Sequence, residues 1–334
     1  MAVVMKWEEI IGQEKAVVQL KTLMQAERMP HALLFCGPDG VGKLLVAQVL
    51  AAALLCEHTN GPCGQCASCQ AFRMGMHPDM YTIVPESKGK TAKSIKIEQI
   101  REVQTEVARI PYLSDKRVVL FDGADTMNEA AANRLLKTLE EPTGQVVFIL
   151  ITGKKASLLD TIVSRCMMVN FCALPRPALA KALCARDIPE LVAAELAALA
   201  DGSFGKALEL FENGGLILRD ETLDFMEQLS AMEMPAVWEL AQKLGGLTRE
   251  KLQEWLSYLT MLLRDMLVLY STGASELLYN QTAAERIAGL LPDFSERKVF
   301  ALLENTKLVE TRLSSNVNTR LLMEQFLLKI RELS

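Results

Sequence analysis

The chain has 334 residues, which exceeds the size at which one hydrophobic core usually keeps growing, so two or three domains are expected. Half of the residues are apolar and 23% are charged, a composition that excludes a disordered chain. The formal net charge of -5 excludes a protein that grips nucleic acid through an overall basic surface, although a local basic patch is compatible with it.

The sequence contains no pattern typical of a membrane span or a secretory signal. The longest apolar run, residues 44–55, is interrupted by Gln48 and is shorter than the roughly 20 residues that cross a bilayer. The opening residues 1–7 are too short a stretch, and turn acidic too soon, to form a secretory signal. We therefore expect a cytoplasmic protein that has no membrane partner.

The first half of the chain alternates apolar, β-rich runs with helical patterns. Four such runs occur, at 32–36, 80–84, 118–122 and 146–152. Between them, apolar residues recur at helical spacing within 100–110 and 135–139. Strands that alternate with helices are typical of βαβ units, so the sequence predicts an α/β domain with a parallel sheet covered by helices.

The second half of the chain is expected to be helical. Strand patterns stop after Phe171, and Pro175-Arg176-Pro177 forms a stiff joint where a helix can begin. A second break falls at Asn213-Gly214-Gly215, and later turns are expected at Gly245-Gly246 and at Gly289 to Pro292. We therefore predict an α/β core over 1–174, a small helical domain over 175–213 and an all-α domain over 214–334.

A phosphate-binding loop is indicated by Gly37, Gly40, Gly42 and Lys43. Residues 37–43 match the first seven positions of the pattern G-x-x-x-x-G-K-[ST] and lie between a predicted strand and a predicted helix. Backbone N–H groups of such a loop converge on phosphate oxygens, and the lysine pairs with the terminal phosphates. The alternative is a glycine-rich turn that binds no ligand.

Two positions that hydrolysis requires are changed. The eighth position of the pattern, where a Ser or Thr hydroxyl holds magnesium, is Leu44. Asp122 ends a predicted strand and is placed to help hold magnesium, but Gly123 follows it, where ring ATPases have the glutamate that polarises the attacking water. We expect negligible hydrolysis by the isolated chain, whereas binding of ATP or ADP stays open because the loop and Lys43 are kept.

Four of the eight cysteines fall within fourteen residues and predict a metal site. Cys56, Cys63, Cys66 and Cys69 offer four thiolates, the number that a closed structural zinc site takes. A reducing cytoplasm favours metal over disulfides. An iron–sulfur cluster is a rival, although its fourth cysteine usually follows the other three and precedes proline. Free thiols are the second rival.

Several separated motifs carry a resemblance to a known family. They are residues 7–13, 31–43, 122–125 and 133–142, Thr152 at a sensor position, and Ser164-Arg165-Cys166. In this order they resemble the AAA+ clamp-loader subunits of bacterial DNA polymerase III. The resemblance implies a AAA+ P-loop core with a zinc module inserted at 56–69, a helical lid and a helical collar that mediates oligomerisation. It also implies that Arg165 faces the nucleotide of a neighbouring subunit.

The chain departs from the ATP-hydrolysing members of this family, which keep Lys-Thr in the loop and an Asp-Glu pair in the second acidic motif. In addition, Lys206 stands where those members have the arginine of the second sensor. The resemblance therefore implies a subunit that does not hydrolyse ATP and supplies Arg165 as an arginine finger in trans. The alternative interpretation of Arg165 is a surface arginine at a strand entrance, paired with a carboxylate.

The expected function is that of a clamp-loader subunit of the polymerase holoenzyme in DNA replication. Its implied partners are ATPase subunits of the gamma/tau type, a delta-type subunit, the sliding clamp and primed DNA in the assembled complex. Two rivals stay open: an active AAA+ ATPase with an unorthodox magnesium site, and a nucleotide-sensing scaffold outside replication. Glu140-Glu141, which end a helical pattern before Pro142, are expected to be a solvated helix end rather than catalytic carboxylates.

Overall fold

The computed structural model describes residues 6–59, 61–87, 93–142, 144–212, 215–229, 233–313 and 317–333. The chain forms two compact units. The first comprises residues 1–187 and 201–206, and the second comprises residues 188–200 and 207–334. The described residues contain no helix that is both long enough and apolar enough to cross a membrane.

A parallel sheet forms the centre of the first unit. Its strands are β1 (Ala32–Cys36), β2 (Met80–Ile83), β3 (Arg117–Asp122), β4 (Val146–Thr152) and β5 (Met167–Asn170), in the spatial order β2-β3-β4-β1-β5. Every residue of β1 and β4 is buried, whereas both edge strands are partly exposed. Central strands that are buried on both faces are typical of a parallel sheet with helices on each side.

The helices of the first unit follow the apolar spacing of the sequence. They are α1 (Glu14–Gln25), α2 (Lys43–Leu55), α3 (Ala67–Arg73), α4 (Ile97–Val107), α5 (Glu129–Glu140), α6 (Asp160–Val163) and α7 (Arg176–Cys184). α4 buries Ile100, Val103 and Val107 on one face. α5 begins where the Asn128 side chain accepts a hydrogen bond from the backbone N–H of Ala131 at 2.8 Å.

The second unit is a helical bundle. It contains α8 (Glu190–Leu199), most of α9 (Phe204–Glu212), α10 (Gly215–Leu229), α11 (Met234–Gly245), α12 (Arg249–Thr272), α13 (Ala284–Leu290), α14 (Glu296–Leu313) and α15 (Thr319–Leu333). In its core the Trp255 ring contacts Phe225 and Phe326, with ring centroids 5.4 and 6.4 Å apart. Buried Glu195 pairs with Arg219 at 2.7 Å and accepts the backbone N–H of Thr282 at 2.6 Å, which ties α8 to this bundle.

The predicted α/β core followed by helices is confirmed, with two differences. β5 was not among the four predicted strands, because this short edge strand has one buried residue and no long apolar run. The second half is not helical throughout, since α12 ends at Gly273 and only short 3-10 turns precede α13. The expected division at 174 and 213 stays a prediction, and residues 213 and 214 lie outside the described residues.

Candidate functional site

The phosphate loop, residues 37–43, connects β1 to α2 at the end of the sheet formed by the carboxyl ends of the strands. Its carbonyl groups are bonded within the first unit. The Val41 carbonyl accepts the Gln13 side-chain amide at 3.2 Å, and the Gly40 carbonyl accepts the backbone N–H of Gly205 at 2.9 Å. The segment 203–205, close to the expected second sensor, therefore lies directly on the loop, and Lys206 pairs with Asp201 at 3.6 Å.

Lys43 is folded back onto the loop from which it starts. Its ammonium group donates to the carbonyl oxygens of Gly37 at 2.5 Å and Pro38 at 2.7 Å, and to a carboxylate oxygen of Asp39 at 3.2 Å. The Lys43 side chain is 6% exposed. Because an ammonium group has three N–H donors, these contacts use its full hydrogen-bonding capacity.

Asp122 and Thr152 reach the same edge of the sheet as the phosphate loop. Thr152 pairs with Cys36 in the strand register, and the Thr152 hydroxyl donates to Asp125 at 2.9 Å. Burial raises the pKa of Asp122, and the nearby Lys43 charge partly opposes this rise. Gly123 has φ of 78°, a left-handed conformation that disfavours a glutamate at this position.

Arg165 lies at the opposite end of the sheet, where the strands begin. It comes two residues before β5, whose first residue pairs with Leu33 and whose last residue pairs with Cys36. Roughly 10 Å of strand, at about 3.3 Å per residue, therefore separates Arg165 from the phosphate loop. The structure brings Asp122 and Thr152 to the loop but leaves Arg165 away from it.

The Arg165 guanidinium group contacts three residues of its own chain, and the longest of these contacts is from Nη1 to the Ser164 hydroxyl at 3.5 Å. Nη1 donates to the Thr161 carbonyl oxygen at 2.9 Å, and Nη2 forms an ion pair with Glu140, the last residue of α5. The side chains of Arg165 and Glu140 are 35% and 47% exposed. A half-exposed arginine at a strand entrance, paired with a carboxylate, is the arrangement that the alternative interpretation expected, so the finger role stays a prediction.

The four clustered cysteines converge at the end of α2. Their sulfur atoms all lie within 4.8 Å of one another, and the pairs Cys56–Cys66 and Cys63–Cys69 are both 3.9 Å apart. Four sulfurs around one zinc at about 2.3 Å each would be about 3.8 Å apart, so the donor set fits this ion. His58 and His77 are outside the cluster.

Backbone groups prepare this cysteine cluster for a cation. The N–H groups of Gln65 and Cys66 both approach the Cys63 sulfur at 3.4 Å and lower the pKa of its thiol to about 6. Burial raises the pKa of the Cys69 thiol, an effect that a bound cation would oppose because metal ligands are deprotonated. Gly61 lies so close that an added Cβ would be 2.5 Å from that of Cys56.

A buried polar network beside the cysteine cluster was not predicted. Ser68, His77 and Asp79 lie together, but the Asp79 backbone N–H donates to Nδ1 of His77 at 3.1 Å. Nε2 of His77 therefore carries the proton and donates to the Ser68 hydroxyl at 2.9 Å, so His77 cannot act as a base towards Ser68. The Ser68 hydroxyl in turn donates to the Leu55 carbonyl at 2.6 Å, which fastens α3 to α2.

A parallel sheet in this order, with the P-loop between β1 and α2 and a helical region after the sheet, has the architecture of a AAA+ module. A family model described as DNA polymerase III, delta subunit, matches residues 12–175, and one described as DNA polymerase III, delta subunit, C terminal, matches residues 220–332. The chain belongs to the family of DNA polymerase III delta' subunits. This result confirms the family that the order of motifs indicated.

Three curated relatives illustrate the similarity. DNA polymerase III subunit delta' of Pseudomonas aeruginosa is 36% identical over 67% of this chain and 69% of its own length. Subunit delta' of Bacillus subtilis is 30% identical over 98% of both chains. Subunit tau of Bacillus subtilis is 33% identical, over 50% of this chain and 29% of its own length.

Proposed function

We propose that this chain is a clamp-loader subunit that does not hydrolyse ATP itself and supplies Arg165 in trans to a neighbouring ATPase subunit. The observation that carries the proposal is the position of Arg165, at the edge of the sheet away from its own phosphate loop. Because of this separation, we expect its side chain to act on a phosphate that another subunit brings rather than on one at its own loop. A planar, permanently charged guanidinium group suits the charge that develops on a transferring phosphoryl group.

The chain's own loop supports the first half of the proposal. Leu44 offers no ligand to magnesium, and the left-handed backbone at Gly123 disfavours the missing glutamate. The donors of Lys43 are taken by the loop, and residues 203–205 cover Gly40. In this arrangement Lys43 has no free N–H donor for the phosphates of ATP or ADP, and we infer that the loop acts as an internal brace. This disfavours both the active ATPase and the nucleotide-sensing scaffold.

Zinc has a structural role in this proposal. Cys56, Cys63, Cys66 and Cys69 would hold the ion and leave no open position for a substrate. The ion would lock the end of α2 to the start of α3, next to the buried network of Ser68 and His77. The module therefore stabilises the first unit and takes no part in phosphoryl transfer.

The assembly is proposed from the family. Its partners are ATPase subunits of the gamma/tau type, a delta-type subunit, the sliding clamp and primed DNA, in the cytoplasm. ATP binding by the neighbour would close the interface around Arg165, and hydrolysis would loosen it, because only the ATP-bound state offers a terminal phosphate to the guanidinium group. The chain is then a comparatively fixed part of the complex while the clamp is loaded.

Reconstitution tests this function. The ATPase subunits, the delta-type subunit, the clamp and primed DNA are combined with wild type, Arg165→Ala, or Arg28→Ala, which removes an exposed arginine after α1 as a matched control. We expect Arg165→Ala to assemble normally but to load the clamp far more slowly, and Arg28→Ala to behave as wild type. Unchanged loading with Arg165→Ala rejects the finger, and failure of the wild type to assemble favours a scaffold outside replication.

A further inference from the structure

Glu140 holds Arg165 in this structure, although the proposed function gives Glu140 no role. The Glu140 carboxylate pairs with Nη2 of Arg165, while Nη1 is held by the Thr161 carbonyl at 2.9 Å. The guanidinium group is therefore oriented from both sides by its own chain. Glu140 and Arg165 are 25 positions apart in the sequence, so their pairing depends on the packing of α5 and α6 beside the sheet.

The position of Glu140 is unfavourable without a cation. It is the last residue of α5, where the partial negative charge of a helix C-terminus disfavours a carboxylate, and Glu141 adds a second negative charge. The end of this helix is also anchored, because the His31 ring contacts the Leu139 carbonyl oxygen at 3.0 Å and His31 directly precedes β1. Glu140 is thus a fixed anionic group that Arg165 neutralises.

A guanidinium group uses the same N–H donors for a carboxylate and for a phosphate. Nη2 of Arg165 cannot give its best geometry to both, and two anions on one cation also repel each other. Both side chains are partly exposed, so water can solvate the carboxylate when the arginine leaves it. Exchange of one anion for the other is therefore accessible, which a fully buried pair would prevent.

We propose that Glu140 is a positioning residue that holds Arg165 in the free subunit and releases it to the terminal phosphate of the neighbour's nucleotide. The inference rests on the proposed function, since it assumes that Arg165 is the finger. It assigns Glu140 a regulatory effect: the Glu140 carboxylate competes with bound ATP for the guanidinium group. Closure of the interface by ATP is then less favourable than it would be if Arg165 were not paired with Glu140.

The test compares Glu140→Gln with Glu141→Gln, a matched control at the adjacent exposed carboxylate, in the reconstituted complex. Glu140→Gln removes the competing charge, and we expect the KM for ATP to fall about two- to five-fold, the factor that an exposed ion pair carries. The kcat should stay within about two-fold of wild type, because the competitor is lost equally in the ground state and the transition state. Glu141→Gln should leave both constants unchanged.

The double variant Glu140→Gln with Arg165→Ala separates the possible outcomes. If Glu140 acts through Arg165, Glu140→Gln has no further effect once the arginine is gone. A KM that is unchanged or raised by Glu140→Gln, or an effect that persists without Arg165, overturns the holding role while leaving the finger intact. If Arg165→Ala alone has no effect, the proposed function fails and the inference fails with it. Thermal unfolding of each isolated chain checks that the variants are folded.

Discussion

The two ends of the sheet in the first unit each carry a cation, but the surroundings of the two cations differ. Lys43, at the end where the strands finish, is 6% exposed and bonded to three acceptors of its own loop. Arg165, at the end where β5 begins, is 35% exposed and contacts a carboxylate, a carbonyl oxygen and, at 3.5 Å, a hydroxyl group. A matched phosphate-binding pattern therefore locates a loop in the sequence, whereas the partners of its lysine are seen only in the structure.

The largest expected effect on stability comes from the cysteine cluster, which lies at the end of α2 opposite Lys43. Cys66→Ser should abolish zinc binding and lower the free energy of unfolding of the first unit by about 3 kcal/mol or more, because metal-binding energy contributes directly to folding. Elemental analysis and thermal unfolding measure both effects. Cys184→Ser, at an exposed cysteine outside the cluster, is the control. Iron in place of zinc, or full stability after Cys66→Ser, would contradict this assignment.

Removal of the Lys43 charge should have an intermediate effect. Lys43→Met takes the donor away from the Gly37 and Pro38 carbonyl oxygens, and we expect the free energy of unfolding to fall by about 1–3 kcal/mol. Denaturant unfolding of the isolated chain measures the change. Lys15→Met, at an exposed position of α1, should be neutral. Full stability of Lys43→Met, combined with saturable ATP binding by the wild type, would show that the loop is a nucleotide site rather than a brace.

The smallest expected effect concerns Asp122. Because burial raises its pKa above that of the unfolded chain, its favourable contribution is present at acidic pH and is lost as pH rises through the folded-state pKa. Asp122→Asn should therefore stabilise the chain at pH 7 by less than about 1 kcal/mol, and the gain should vanish towards acidic pH.

Thermal unfolding of Asp122→Asn between acidic pH and pH 7 checks the sign of the change in stability, with exposed Asp115→Asn as the control. Destabilisation at pH 7 would indicate that the Asp122 carboxylate has a favourable partner at this edge. That result would favour the interpretation that Asp122 can help to hold magnesium.

Much of the fold follows from local patterns. Apolar residues fill β1 and all of β3 and β4 except their polar end residues, and the spacing of Ile100 and Val103 gives the buried face of α4. β5 escapes such reasoning because an edge strand of four residues needs no continuous apolar run. The cysteine cluster was predictable because its ligands are close in sequence and their number matches the coordination of zinc.

Contacts between distant residues could not be predicted in the same way. Gln13 donates to the Val41 carbonyl across 28 positions, and Glu140 pairs with Arg165 across 25. Both contacts depend on the packing of elements around the sheet, which no local spacing specifies. The end of α5 was expected to be solvated, and Glu140 is exposed there, but its ion pair with Arg165 could not be predicted from the sequence.

Single-turnover ATP hydrolysis by the assembled complex tests the central comparison most directly, with Lys43→Met and Arg165→Ala measured side by side. We predict that Arg165→Ala slows hydrolysis at the neighbouring subunit's site by about 10³-fold or more, as loss of an arginine finger does, while Lys43→Met leaves every site at the wild-type rate. Slower hydrolysis with Lys43→Met and an unchanged rate with Arg165→Ala would instead show that this chain's own loop hydrolyses ATP and that Arg165 is not an arginine finger.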